Sequence, residues 1–420
     1  MRILFLSNFF PPARPGGYTQ WCHEVSERLA ARGHTIGVLT SRYERAKAPA
    51  GEQNIYRLLH LEGDLAYYQP VSFFTQWKKQ HRENMAVLEG VIEDFSPDLL
   101  FVWGMWALSK ALPARAEQLL PGRVVYYLSD YWPSAVDMHT TYWKSPARRL
   151  LMQPAKQLLN QLALTMLAQE SQPALKFEQV ICVSARLREL LLQAGVPIQN
   201  ARVIHGGTDV QRFPTVHERD FRSGYLNLLY AGQLVRHKGV HTAIEALQKL
   251  VEQRGLNQVG LSIVGAGHPD YEAFLRDLVE RERLQDYVTF LPAVPKSEMP
   301  AIFQKFDVLI FPSIYEEPLA RMTQEAMAAG LLVIGTATGG TREILTAGET
   351  GLTFAAEDAE GLADQLTWLT ANPEAGRRLA QAGRQNVLEH FTLDRMVQQI
   401  EEYLLDCFAR SAKLEVHHEL

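Results

Sequence analysis

Two glutamates, Glu317 and Glu325, stand eight residues apart in a segment that runs on through Ala-Met-Ala-Ala to Gly330. An ionised carboxylate accepts hydrogen bonds at both oxygens, which suits the neighbouring hydroxyls of a sugar or a ribose. A helix starting near Pro318 would put Glu325 about two turns in, on the same side of the element as Glu317. On an alanine-rich helix, two glutamates often form only a solvated face, but the apolar neighbours here favour burial. A second candidate is Gly232-Gln-Leu-Val-Arg-His-Lys-Gly239. Arg236 would meet a phosphate as a planar fork and Lys238 as a point charge. Two solvated cations are the alternative, yet cations at a helix start oppose its dipole.

Glycines mark three further loops. Gly16 and Gly17 close a proline-rich turn over residues 8–17. They allow close backbone approach, and a helix N-terminus there would offer N–H groups to an anion. An ordinary Gly-Pro turn reads equally well. Gly265-x-Gly267 is an incomplete dinucleotide-type signal, with Asp270 where a third glycine would stand. Gly339-Gly340-Thr341 is another loop open to close approach.

Such loops need a scaffold that gathers them at one edge. Apolar runs at 2–7, 35–40, 98–103, 123–128 and 179–183 read as buried strands with helices between them. Runs at 227–231, 260–264, 287–290, 308–311 and 332–335 repeat the alternation. This pattern predicts an α/β fold with doubly wound parallel sheets, whose ligands bind at the carboxyl ends of strands. Glycine, proline and charged residues break the periodicity near 205–224. Domains are therefore expected at 1–205 and 206–390. Residues 391–420 should form a C-terminal helix, about 393–407, that packs back on the first domain, followed by a tail.

The two halves differ chemically. Residues 1–205 hold 22 Lys and Arg against 17 Asp and Glu, whereas residues 206–420 hold 20 against 30. Six of the seven tryptophans lie in the first 143 residues. The overall charge of −5 gives no reason to expect a nucleic-acid partner. Three scattered cysteines make neither a disulfide framework nor a Cys-x-x-Cys site. Without a signal-peptide pattern or a run of about 20 apolar residues, a cytoplasmic protein is expected, with the inner membrane face as an alternative. No Asp-x-Asp occurs, so neither a metal nor a cofactor is expected.

Taken together, these motifs resemble the retaining glycosyltransferases of the sucrose-synthase type, family 4 (glycosyl transferases group 1). The resemblance covers nearly the whole chain. It rests on Gly16-Gly17, Ala231-Gly-Gln-Leu-Val-Arg-His-Lys-Gly239, Val264-Gly-Ala-Gly267, Phe311-Pro-Ser, the Glu317/Glu325 pair and Thr338-Gly-Gly-Thr-Arg-Glu343. It implies two Rossmann-like domains facing a central cleft, the GT-B architecture. It also implies a nucleotide-sugar donor, with Glu325 on the ribose and Glu317 on the transferred sugar. Lys238 would neutralise the diphosphate, helped by the backbone near Met322 and Thr323 and by the loop holding Gly339 and Gly340. Gly16 and Gly17 would close over the donor, and Gly267 would line its site. Catalysis, carried by Glu317, Lys238 and Arg236, would be metal-independent front-face transfer to a glycan, lipid-linked or small-molecule acceptor.

Two positions depart from the family pattern. Gln233 replaces a usual arginine, for which Arg236 would compensate. Ser129 stands where histidine often precedes aspartate, and serine carries no proton at neutral pH. Ser129, Asp130, Tyr131, Trp132 and Trp103 are the candidate acceptor residues, because aromatic faces stack on sugars; Trp106 is grouped with them. Trp21 and Trp77 read as core, and His34 as structural. His139 lies in the right region, with nothing beyond proximity to support it. Residues 144–167 are basic and leucine-rich, with Pro154 expected to kink the helix over 144–170. They suit either packing on the first domain or peripheral contact with an anionic membrane. A catalytically weak nucleotide-sugar or glycan-binding protein, or an epimerase of the same fold, remains an alternative; a two-carboxylate hydrolase fits less well. Donor base, acceptor and oligomeric state are not legible.

Overall fold

In a computed structural model, the described residues are all but 14–15, 50, 64–67, 148–152, 170–173, 214–220, 222–223 and 419–420. The chain forms two compact units. Unit 1 comprises Met1–Ile204 and Val397–Leu420, and unit 2 comprises His205–Met396.

Unit 1 is built on seven parallel strands: β1 (Arg2–Leu6), β2 (Thr35–Ser41), β3 (Ile55–Leu59), β4 (Leu99–Val102), β5 (Val124–Leu128), β6 (Gln179–Cys182) and β7 (Arg202–Val203). Their order is β3-β2-β1-β4-β5-β6-β7. Strands β4, β5 and β6 are buried along their whole length. Such continuous apolar runs are what a parallel sheet covered on both faces requires. Edge strand β3 escaped the sequence reading because Arg57 interrupts it. The guanidinium of Arg57 is nonetheless buried, bonded to Glu52 at 2.8 Å and to the Phe10 carbonyl at 3.1 Å.

Unit 2 holds β8 (Leu226–Ala231), β9 (Val259–Val264), β10 (Val288–Leu291), β11 (Val308–Phe311), β12 (Leu332–Thr336) and β13 (Leu352–Phe354). The order is β10-β9-β8-β11-β12-β13, again parallel throughout. In each sheet the order reverses once beside the first strand, at β1/β4 and at β8/β11. Doubly wound sheets open a crevice at that point, outside the carboxyl ends of the strands.

The last helix, Leu393–His418, begins in unit 2 and continues in unit 1. Within unit 1, Glu401 on this helix meets His34 at 2.8 Å and Arg32 at 2.6 Å. This gives His34 a structural role in the turn before β2.

The single helix expected over 144–170 is replaced by two, Met138–Lys144 and Gln153–Gln169. Residues 148–152 and 170 of that stretch lie outside the described residues, as do 214–220 and 222–223 of the expected boundary. Pro154 is the second residue of Gln153–Gln169, and the residues before it, on which the expected kink depends, lie outside the described residues. Among the described residues, no helix is long and apolar enough to cross a membrane.

Candidate active site

The loops after β8 and β11 flank the switch point of unit 2 and are knitted together. Arg236–Lys238 form a single 3-10 turn. The carbonyl of His237 accepts from the backbone N–H of Ile314 at 2.9 Å and of Tyr315 at 3.2 Å. Gly239, which follows, has φ +67°, and a Cβ there would strike the Pro312 carbonyl. Only glycine lets the two loops lie this close.

That closeness brings Lys238 to Glu317. The lysine Nζ lies 2.5 Å from Glu317 Oε1, and the Ser313 hydroxyl donates to the same oxygen at 2.6 Å. The third wall is the loop after β12. Gly339, at φ +56°, rests against the backbone of Glu317, and the Gly340 N–H donates to the Glu317 carbonyl at 2.6 Å. Thr336 ties the same loop to the Ser313 carbonyl at 2.6 Å.

Glu325 lies in the helix Arg321–Ala328, buried like every residue of that helix except Met322. Lys296, from the segment after β10, reaches Glu325 Oε1 at 2.9 Å, and Arg321 Nε reaches the same oxygen at 3.0 Å. Burial alone would raise this carboxyl, but Lys296 and Arg321 outweigh it and hold the group below its ordinary range. In both glutamates, then, Oε1 takes two donors. Among the described residues, nothing donates to either Oε2.

Ala320 opens the Arg321–Ala328 helix without a side-chain cap. The first-turn N–H groups, around Met322 and Thr323, therefore lack that usual partner. The Thr323 hydroxyl is buried and bonded to none of the described residues.

Not every candidate joins this cluster. Arg236 is exposed, its guanidinium 6.0 Å from the centre of the Phe274 ring. Gln233 is exposed, and its carbonyl takes the Tyr230 hydroxyl at 2.8 Å. Gly267 serves the backbone: Leu234 N–H donates to the Ala266 carbonyl at 3.1 Å, and Gly267 N–H donates to Glu272 at 2.5 Å.

In unit 1, Gly16 and Gly17 open the helix Gly17–Ala31, with no side-chain cap and no acidic residue in its first turn. The Ser129 hydroxyl is buried and bonded to none of the described residues. Asp130 accepts the Trp132 N–H at 2.7 Å, and burial raises its carboxyl to about 6. Tyr131 is half-buried beside it. Trp103 corrects the sequence reading: it has no exposed surface and stacks on Tyr127 with ring centres 4.4 Å apart. Enclosed also by Phe5 and Phe101, it has no face to offer a sugar. Trp132 is buried against Phe177, whereas Trp106 is exposed. Trp21 and Trp77 are core. His139 bonds Tyr68 at 2.8 Å among aromatic rings, and burial pushes it down to about 4.

Three residues that complete the cluster went unassigned from sequence. Arg321 had a local signal, four residues before Glu325 on one helix face. Ser313 lay within a quoted motif. Lys296 had no signal, because only the fold brings it to Glu325.

Two family models divide the chain between them. Residues 15–212 match Glycosyltransferase Family 4, and residues 216–386 match Glycosyl transferases group 1. The chain is a family 4 glycosyltransferase. This glycosyltransferase is 27% identical over 404 residues to glycogen synthase of Mycobacterium tuberculosis, covering 93% of its own length and 91% of the relative. Its fold is shared with sucrose-phosphate synthase of Thermosynechococcus elongatus, at TM-score 0.71, 21% identity and coverage of 97% and 99%. It is shared too with Anabaena HepE, solved in complex with UDP-glucose, at TM-score 0.69, 20% identity and coverage of 97% and 100%. These neighbours place the glycosyltransferase in the GT-B fold class.

Proposed function

We propose that this glycosyltransferase takes a nucleotide-diphosphate-sugar as donor, holds it in unit 2, and transfers the sugar with retention and without a metal ion. The observation that carries the reading is the matched state of the two glutamates. Each is fixed through one oxygen, leaving the other to accept hydroxyls. Glu325 would take the ribose diol and Glu317 the hydroxyls of the transferred sugar.

The donor diphosphate would lie against Lys238 and the uncapped start of the Arg321–Ala328 helix, with the backbone of Gly339 and Gly340 alongside. Both are positive ends aimed where charge grows as the sugar–phosphate bond breaks. The acceptor oxygen bonds to the anomeric carbon on the face the phosphate leaves, and the acceptor proton passes to a phosphate oxygen. No protein nucleophile takes part. The uncapped helix start at Gly16 and Gly17 is a second anion-accepting end, in unit 1. Ser129 and Asp130 are the polar acceptor candidates there.

The test is turnover of UDP-, GDP- and ADP-sugars with EDTA present, with the anomeric configuration of the product read by NMR. Activity abolished in Glu325→Ala and Lys238→Ala supports the reading. Full activity in both variants, or loss on chelation, overturns it.

A further inference from the structure

Unit 1 carries a layer of three helices that its sheet does not require. The first half of the helix Pro70–Phe95 packs with Met138–Lys144 and Gln153–Gln169 around Phe73, Trp77, Trp143 and Ala163. Lys156, the one charged residue of Gln153–Gln169, faces inward, 4.0 Å from the centre of the Tyr142 ring. The outward stripe of this helix therefore has no charge. It runs through Pro154, Leu158, Leu162 and Thr165, all exposed. Leu158 is 75% exposed, Leu162 54% and Leu159 41%. Ten large apolar side chains are exposed among the described residues, and four belong to this layer: these three and Val71. A solvated helix normally turns charge outward; this one packs Ala163, Leu164, Met166 and Leu167 inward and still turns uncharged residues, three leucines among them, to solvent.

The charge around it is mostly basic, with Asp137 capping Met138–Lys144 and Glu170 next after Gln169. No Asp or Glu occurs from Met138 through Gln169. Lys144, Lys78, Lys79 and Arg82 are exposed on the neighbouring helices, and the nearby Glu83 is paired with His60 at 3.0 Å and Lys79 at 3.8 Å. One face of a single helix, with Leu158 and Leu162 on its stripe and Leu159 beside them, presents less than the about 800 Å² per partner that a stable protein interface buries. It does match an amphipathic helix lying flat in the headgroup region of an anionic bilayer, with leucines submerged and lysines at the phosphates.

We infer that Gln153–Gln169 docks unit 1 on an anionic membrane surface, leucine stripe downward. Docking stands on this surface alone. That the acceptor is then a lipid-linked hydroxyl compound rests on the transferase reading above.

The experiment is sedimentation of the full chain with phosphatidylglycerol/phosphatidylcholine vesicles and with phosphatidylcholine vesicles. Wild type should partition onto the anionic vesicles and be released by high salt. Leu158→Glu/Leu162→Glu should weaken partitioning by at least about tenfold, while its melting temperature and UDP-sugar turnover stay at wild-type values. Leu158→Trp, a fluorescent reporter at an exposed position, should shift its emission to the blue on anionic vesicles. Failure of wild type to bind anionic vesicles overturns the inference, as does equal binding by the double glutamate variant. So does a concentration-dependent dimer that the same variant dissolves, which would assign the stripe to self-association. Vesicle binding without any nucleotide-sugar turnover would overturn the transferase reading and leave docking intact.

Discussion

Lys238 Nζ and Glu317 Oε1 lie 2.5 Å apart, so the cation proposed for the phosphate is paired with the carboxylate proposed for the sugar. The pair keeps either charge from being buried alone, and a donor bound as proposed would redistribute it. Lys238→Ala removes the electrostatic term and leaves Glu317 with only the Ser313 hydroxyl. Removing one such donor typically costs about 10²–10³ in kcat. A comparable fall is expected, with the nucleotide alone bound more weakly. Steady-state kinetics and calorimetry with UDP check both; an unchanged kcat would leave Lys238 a purely structural ion pair.

Lys296 should set the acid limb of donor binding. Glu325 has its carboxyl depressed below the ordinary range. A depressed carboxyl contributes stability and binding above its unfolded pKa, and that contribution is lost as pH falls through the folded value. Lys296→Met removes one of two cations and raises the carboxyl. Nucleotide affinity should then fall at a higher pH than in wild type, with little change well above neutrality. Calorimetric titrations across acidic pH decide this, and superimposable profiles would contradict it.

Gly339→Ala should be costly at a position far from any reacting group in sequence terms. The residue has φ +56°, and a methyl there collides with the Glu317 backbone. A non-glycine residue in that region costs of order 1–3 kcal/mol, and here the collision moves Glu317 as well. Stability in urea should drop by about that amount, and turnover should drop more than the fraction unfolded explains.

His139 offers a stability prediction separate from catalysis. Burial lowers it to about 4 from its ordinary 6.5. The unfolded chain therefore binds the proton first, and stability is lost as pH falls from 6.5 toward 4. At 1.36 kcal/mol per unit, the loss approaches about 3 kcal/mol. His139→Phe should flatten that part of the melting-temperature curve, and an equally steep curve would count against the assignment.

Much of this molecule was legible in sequence because parallel sheets covered on both faces need continuous apolar runs, and ten such runs were readable. The strands that escaped were edge or very short ones. Arg57 disguises β3, and β7 spans only Arg202–Val203. The Lys238 and Glu317 neighbourhood was legible because glycines that permit close loop packing leave a compositional mark. Lys296 was not, since it comes from another strand end and nothing in its own segment announces the contact. Trp103 misled for a related reason: a residue after a strand can turn inward as easily as toward the crevice, and the choice is made by Tyr127 on the neighbouring strand.

The chain enters unit 2 at His205 and leaves it after Met396, and there the two passages lie side by side, with the Leu393 N–H donating to the Thr208 carbonyl at 2.8 Å. Unit 2 is thus a contiguous stretch of polypeptide, while unit 1 is assembled from both ends. On a ribosome, the first domain made is the last one finished. At 5–20 residues per second, unit 1 waits on the order of 10 to 40 s for the helix that carries Glu401. Until then, Arg32, His34 and the Val180 carbonyl lack the partners that Glu401 and Tyr403 bring, while unit 2 can already fold.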